Sequence, residues 1–250
     1  MAALAATADF VNTPTTPITP HFPKPSPTLM VVSSSSNSPF DINLVCDRFL
    51  RSISDKAAID TLLYLQGFTE LNKFFNMFGT LFGFVAKDVR DKIGILEAYH
   101  ADETVGHRYV TVQSMIEYEK GESLLIDKTG RRPSGARTLL RLHRALEFIS
   151  AFLHEVTKID DQTSTGGSAR AAYGRTLARF HPWMIRKTVN LATLALPYRR
   201  VLISNVYGGA LPEGGAGEVN EAMSELANIA DQVFGATHKL YEEHELLELP

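Results

Sequence analysis

Asp88 and Lys92 stand four residues apart in the stretch LFGFVAKDVRDKIGIL, which begins at Leu81. A helix at 100° per residue puts both on one face, one turn apart. Alone, such a pair reads as an ordinary surface ion pair. A second stretch, RTLLRLHRALEFISAFL from Arg137, projects Arg137, Arg141, Arg144 and Phe148 within about 60° of one another, and sets Leu142, Leu146, Ile149 and Leu153 on a separate apolar face. Three stacked guanidinium groups repel one another unless an anion or carboxylates neutralise them, and this helix holds few acids. A phosphate meets that need, because arginine forks make charge-assisted, often bidentate bonds worth about 1.5–3 kcal/mol each. Acids on a neighbouring helix would serve as well. The third stretch is Phe180-His181-Pro182-Trp183, followed by Arg186 and Lys187. Pro182 suits the first turn of a helix, so His181 and Trp183 stand at a helix entrance. The chain's one tryptophan, beside two cations, reads either as an interfacial membrane anchor or as a core residue.

The elements that must position these residues are helices. From Asp41 onward the apolar periodicity is helical and no alternating β-branched run bounded by turns appears, so the fold class is all-α. Breakers divide the chain into helices over roughly 41–54, 55–66, 68–99, 104–119, 134–157, 168–205 with breaks at Pro182 and Pro197, and 218–246. Residues 1–38 are rich in Pro, Ser and Thr, bury too little apolar surface to fold, and read as a disordered extension ahead of a domain at 39–250. Met1–Val11 lacks the basic region of a signal peptide; scarce acidic residues leave a transit peptide open, and missing arginine argues against it.

A chain of 250 residues, 44% hydrophobic, can fill one sizeable core. The formal net charge of -3 hides a segregation: residues 131–200 hold thirteen Arg and Lys against four Asp and Glu, while from 213 onward nine acids face Lys239 alone. An anionic ligand or membrane surface would be drawn to the middle of the chain, unless the split mirrors solvated helix faces. No apolar run is long enough to span a bilayer, so any membrane contact is peripheral and the expected location is the cytoplasm. The single cysteine, Cys46, excludes an internal disulfide and reads as a small core residue. No metal-ligand spacing, Gly-x-Ser-x-Gly or phosphate-cradling glycine loop points to an enzyme, a metal or a cofactor, and nothing points to nucleic acid.

Five stretches together resemble the glycolipid transfer protein superfamily, in the same order and at similar spacing: KDVRDKI at 87–93, SGARTLLRLHRAL at 134–146, AYGRTLARFHPWMIRKTV at 172–189, ALPYR at 195–199 and KLYEEHELLELP at 239–250. The resemblance implies a two-layer helical sandwich with an internal hydrophobic lipid pocket and a polar headgroup site at its mouth. It implies that Asp88 accepts the ceramide amide N–H, that His181 reaches the amide carbonyl, and that Lys92, Arg137 and Arg141 hold a phosphate, with Arg144 in a secondary place. It also puts Trp183, Arg186 and Lys187 at the membrane interface and makes a monomer the expected state.

Glycolipid-binding members of the superfamily carry Asp-x-x-x-Asn where this chain has Asp88 and Lys92, and a sugar-stacking tryptophan where it has Arg141. Both changes exchange sugar recognition for anion recognition, since an ammonium and a guanidinium in a partly desolvated mouth are costly without an anion. The implied ligand is ceramide-1-phosphate or a related phosphosphingolipid, moved between membranes. Core-type residues that could line the pocket are Phe74, Phe75, Phe78, Phe84, Leu142, Phe148, Ile149 and Phe152. The rival readings are a sensor or scaffold that binds the same lipid without moving it, a glycosphingolipid carrier, and an enzyme using His181.

Overall fold

The computed structural model describes residues 40–55, 58–78, 82–126 and 132–250. The expected extension at 1–38 lies outside them. Among the described residues nine α-helices form: α1 (Ile42–Ser52), α2 (Thr61–Asn76), α3 (Gly83–His100), α4 (Val112–Gly121), α5 (Gly135–Val156), α6 (Gly166–Arg175), α7 (Trp183–Ala192), α8 (Arg199–Tyr207) and α9 (Gly215–Glu243). Two isolated bridges, Asp60 with Thr111 and Ser164 with Tyr198, are the extended pairings found there.

The long helices close a ring. Helix α3 packs on α2, α2 on α1, α1 on α9, α9 on α5, and α5 returns to α3. Each turns its apolar stripe inward, and the core they share includes Phe49, Tyr64, Phe68, Leu139, Leu142 and Ala230, all withdrawn from solvent. Helices α4 and α6 lean on α5, and α8 on α9. Inside the ring, side chains from α1, α2, α5, α8 and α9, among them Ile42, Phe74, Ile149, Val206 and Met223, line an apolar void of only about 10 Å³. That is the room of about one water molecule.

Several expected boundaries move, each for a physical reason. The helix expected at 55–66 begins at Thr61, where the Asp60 carboxylate caps the Leu63 N–H at 2.8 Å. It then runs through Gly67 to Asn76, and within the helix expected at 68–99 the described residues form the end of α2, up to Asn76, and α3, from Gly83. Gly67 does not break the helix, because the glycine serves contact between helices: a Cβ there would lie 2.6 Å from the Phe49 ring of α1. The stretch 104–119 splits into a 3-10 turn at Gly106–Arg108 and α4, which Thr111 and Ser114 start with a capping box. The breaks at Pro182 and Pro197 form as expected, the first widened to Thr176–Pro182, where it separates α6 from α7 and holds the 3-10 turn Ala178–Phe180. Phe84 is 45% exposed and lines no interior.

Replacing Gly67 with alanine drives a methyl into a fully buried ring, an overpacking that costs about 1–3 kcal/mol. Gly67→Ala is therefore expected to lower the melting temperature by several degrees in a thermal denaturation scan, despite alanine's higher helix propensity.

Candidate functional site

Helix α5 carries the arginines, and its first turn is fixed by a buried carboxylate. Ser134 caps the helix, its Oγ accepting from the Arg137 N–H at 3.0 Å. Glu119, at the end of α4 and fully buried, accepts from Ser134 Oγ at 2.5 Å, Gly135 N–H at 2.6 Å, Ala136 N–H at 3.1 Å and Tyr109 Oη at 2.9 Å. Four donors satisfy a charge that would otherwise be costly to bury, and the carboxylate sits against the positive end of the α5 dipole. Nearby, Tyr99 at the end of α3 donates its hydroxyl to Pro133 C=O at 3.2 Å, and Arg132 donates to Ala98 C=O at 3.0 Å. These bonds tie the foot of α5 to the end of α3 and so set the two site-bearing helices against each other.

On α3 the Lys92 ammonium pairs with the Asp88 carboxylate; the lysine side chain is only 13% exposed while the carboxylate, at 67%, faces out. On α5 Arg137 is half-buried, and its Nε is withdrawn from solvent with no hydrogen-bond acceptor. One turn on, Arg141 is exposed and donates to Pro250 C=O at 3.2 Å. A further turn brings Arg144, which donates to Leu247 C=O at 2.7 Å and Leu249 C=O at 3.1 Å, and stacks its guanidinium 3.9 Å from the Phe180 ring centre. Burial pulls its pKa down, and the Glu248 carboxylate opposes the shift. The arginine stripe is therefore not uniform: Arg144 is spent on the C-terminal segment, whereas Arg137 keeps an unused buried donor.

His181 follows the 3-10 turn Ala178–Phe180 and precedes Pro182, which holds it in extended backbone. Its Nδ1 lies 2.9 Å from the hydroxyl of Tyr173 on α6. Burial depresses the imidazole pKa, with the Asp88 charge raising it and the Lys92 charge lowering it, so all three residues share one field. The structure thus pairs Asp88 with Lys92, sets His181 within reach of their charges, and places Arg137 and Arg141 on the helix packed against α3. Among the described residues no hydrogen bond or ion pair joins those two arginines to the Asp88–Lys92 pair.

Trp183 opens α7 and is 65% exposed, which disposes of its reading as a core residue. Met184 and Leu191 are 70% exposed, and Ala192 is the one buried residue of this helix. Arg186 and Lys187 are exposed beside them, with the Lys187 ammonium 5.5 Å from the Trp183 ring centre. His143 is a packed helix residue, stacked 4.3 Å from Phe234 with its pKa pushed down to about 3 by burial. Cys46 is a buried core thiol, raised by burial to about 12.

Sequence reasoning missed Glu119 and Tyr173. Neither lies in a spacing pattern with its partner: Glu119 acts across the loop between α4 and α5, and Tyr173 reaches His181 around a helix break.

Comparison with known proteins fits this ring of helices to a class of helical lipid-carrier folds. The sequence pattern of the glycolipid transfer protein (GLTP) family matches residues 59–208. The ceramide-1-phosphate transfer protein of Xenopus tropicalis is 39% identical over 220 residues, covering 87% of this chain and all of that one. The human ceramide-1-phosphate transfer protein is 30% identical over 217 residues, covering 86% of this chain and 99% of its own. In three dimensions the crystal structure of the mouse ceramide-1-phosphate transfer protein in its apo form superimposes with a TM-score of 0.77 at 33% identity, covering 84% of this chain and all of that one. The human protein in complex with 12:0 ceramide-1-phosphate gives 0.76 at 30% identity, with the same coverage. The chain belongs to the glycolipid transfer protein family, and its all-helical fold is that family's.

Exchanging the Glu119 carboxylate for an amide leaves the Ser134–Ala136 donors short of acceptors and turns one acceptor into a donor. Glu119→Gln is expected to cost about 2 kcal/mol, read as a fall of about 4–8 °C in melting temperature by circular dichroism.

Proposed function

We propose that this chain moves ceramide-1-phosphate or a related phosphosphingolipid between membranes, from the cytoplasmic side and as a peripheral visitor to the bilayer. The observation that carries the reading is a cationic set on two helices packed against each other, Lys92 on α3 and Arg137 and Arg141 on α5. The Lys92 head is largely withdrawn from water, and Arg137 has a buried Nε–H with no acceptor. A phosphate supplies the acceptor that Arg137 lacks, and its charge adds to what the Asp88 carboxylate already gives Lys92, with several oxygens suited to forked donors. A sugar headgroup would leave them uncompensated, and the residues at 92 and 141 are not the Asn and Trp that suit a sugar. The curated relatives named above are called ceramide-1-phosphate transfer proteins, and a solved one holds that lipid.

In this reading Asp88 accepts the ceramide amide N–H and His181 donates to the amide carbonyl. Arg144 serves indirectly, by holding the C-terminal segment against the arginine helix. The hydrocarbon chains enter the ring. Each exposed methylene costs about 0.8 kcal/mol and a ceramide has roughly thirty of them, so escape from a bilayer without a carrier is very slow. An apolar void of about 10 Å³ cannot receive such chains, so loading into it has to widen the space among the helices that line it. Helix α7 suits docking, since Trp183, Met184 and Leu191 offer an apolar face while Arg186 and Lys187 meet anionic headgroups.

A vesicle assay with fluorescent lipids tests the proposal: ceramide-1-phosphate is expected to move and galactosylceramide to stay. Arg141→Leu should reduce the transfer at least tenfold with the melting curve unchanged, since the side chain is exposed. Equal transfer of the two lipids sinks the headgroup assignment, and tight stoichiometric binding with no transfer favours the sensor. Separately, Trp183→Ala should weaken sedimentation with vesicles containing phosphatidylserine without altering the melting temperature. Unchanged partitioning removes α7 from the docking face.

A further inference from the structure

Tyr173 is 97% buried, yet its hydroxyl must keep a hydrogen-bond partner to make that burial tolerable. Among the described residues its one polar contact is His181 Nδ1, 2.9 Å away. The bond can run two ways. If Nδ1 carried the proton and donated to the phenol oxygen, the phenol proton would point into the interior with no acceptor. If the phenol donates, Nδ1 accepts with its lone pair and nothing is left over. Burial keeps the imidazole neutral near pH 7, so its single proton then resides on Nε2. Backbone and packing favour this geometry: Tyr173 is buried in α6, and the His181 backbone is held between the turn Ala178–Phe180 and Pro182, its own N–H on Ala178 C=O at 3.3 Å.

We propose that Tyr173 is a positioning residue that locks His181 in the Nε2–H tautomer, so that the imidazole meets the lipid as a hydrogen-bond donor. The inference rests on the reading of His181 as the contact of the ceramide carbonyl, and it explains how that contact acquires its direction. Asp88 is an obligate acceptor, and a tautomer-locked His181 is an obligate donor. The pair together matches a secondary amide, which offers one N–H and one C=O, and mismatches a free amine, which has no carbonyl. The recognised class is accordingly an N-acylated sphingoid phosphate.

Nitrogen-15 histidine spectra of the full chain test the tautomer directly. In the unaltered protein His181 should show a protonated Nε2 and a bare Nδ1; a protonated Nδ1 overturns the proposal without any variant being made. In Tyr173→Phe the lock is gone, and the His181 signals should move toward a mixture of the two tautomers. Transfer of ceramide-1-phosphate between phosphatidylcholine vesicles should then fall about twofold, in proportion to the share of the donor tautomer that is lost. Signals that stay put in Tyr173→Phe show that the tyrosine does not set the tautomer and overturn the proposal. A shifted tautomer with undiminished transfer overturns the donor role of His181 and leaves the phosphate site standing. Failure of the unaltered protein to move ceramide-1-phosphate sinks the proposed function, while the histidine spectrum still decides the lock.

Discussion

A carboxylate with four donors around it, buried where α4 ends and α5 begins, sets the frame for the charged side chains of α3 and α5. Glu119 fixes the first turn of α5, and from that turn the helix projects Arg137, Arg141 and Arg144 at successive rises of one turn. Were the start of α5 free to fray or slide, the guanidinium groups would lose their station relative to α3. The bonds from Tyr99 and Arg132 then hold the end of α3 to the same point. A negative charge unavailable to any ligand thus organises the positive charges that are available.

The three arginines of α5 share a stripe and have three fates. Arg137 is partly buried with a spare donor, Arg141 reaches out to a backbone oxygen of Pro250, and Arg144 is consumed by Leu247, Leu249 and Phe180. Sequence projection shows the stripe and cannot show this division, because it depends on where the C-terminal segment lies. The same holds for Lys92: spacing pairs it with Asp88, but only the packing of α3 shows that the lysine is the sheltered partner and the aspartate the exposed one.

Much of the fold was legible because local signals agreed with global packing. Helix α5 was expected at 134–157 and forms at 135–156, its Ser134 cap and unbroken apolar face both visible in the sequence. The failure at Gly67 has the opposite cause: a glycine read as punctuation is retained for close contact with Phe49, a partner eighteen positions away whose proximity no local pattern encodes. Phe84 was counted as core on composition and turned out to face solvent, since an aromatic residue carries no label for the side of the helix it will occupy. Asp88 and Lys92 pair as their spacing suggested, and their charges act on His181. Tyr173 and Glu119 stayed hidden because each acts on a site residue from another element.

Helix α7 leaves a lasting mark on how the molecule can change. With nearly every residue outward, it owes almost nothing to the core, so substitutions there are nearly free in folding terms. Drift at Trp183, Met184 or Leu191 would therefore pass unnoticed in any screen for stability, and under the proposed docking role, polishing this surface for solubility would make a better-behaved protein that no longer recognises where to unload.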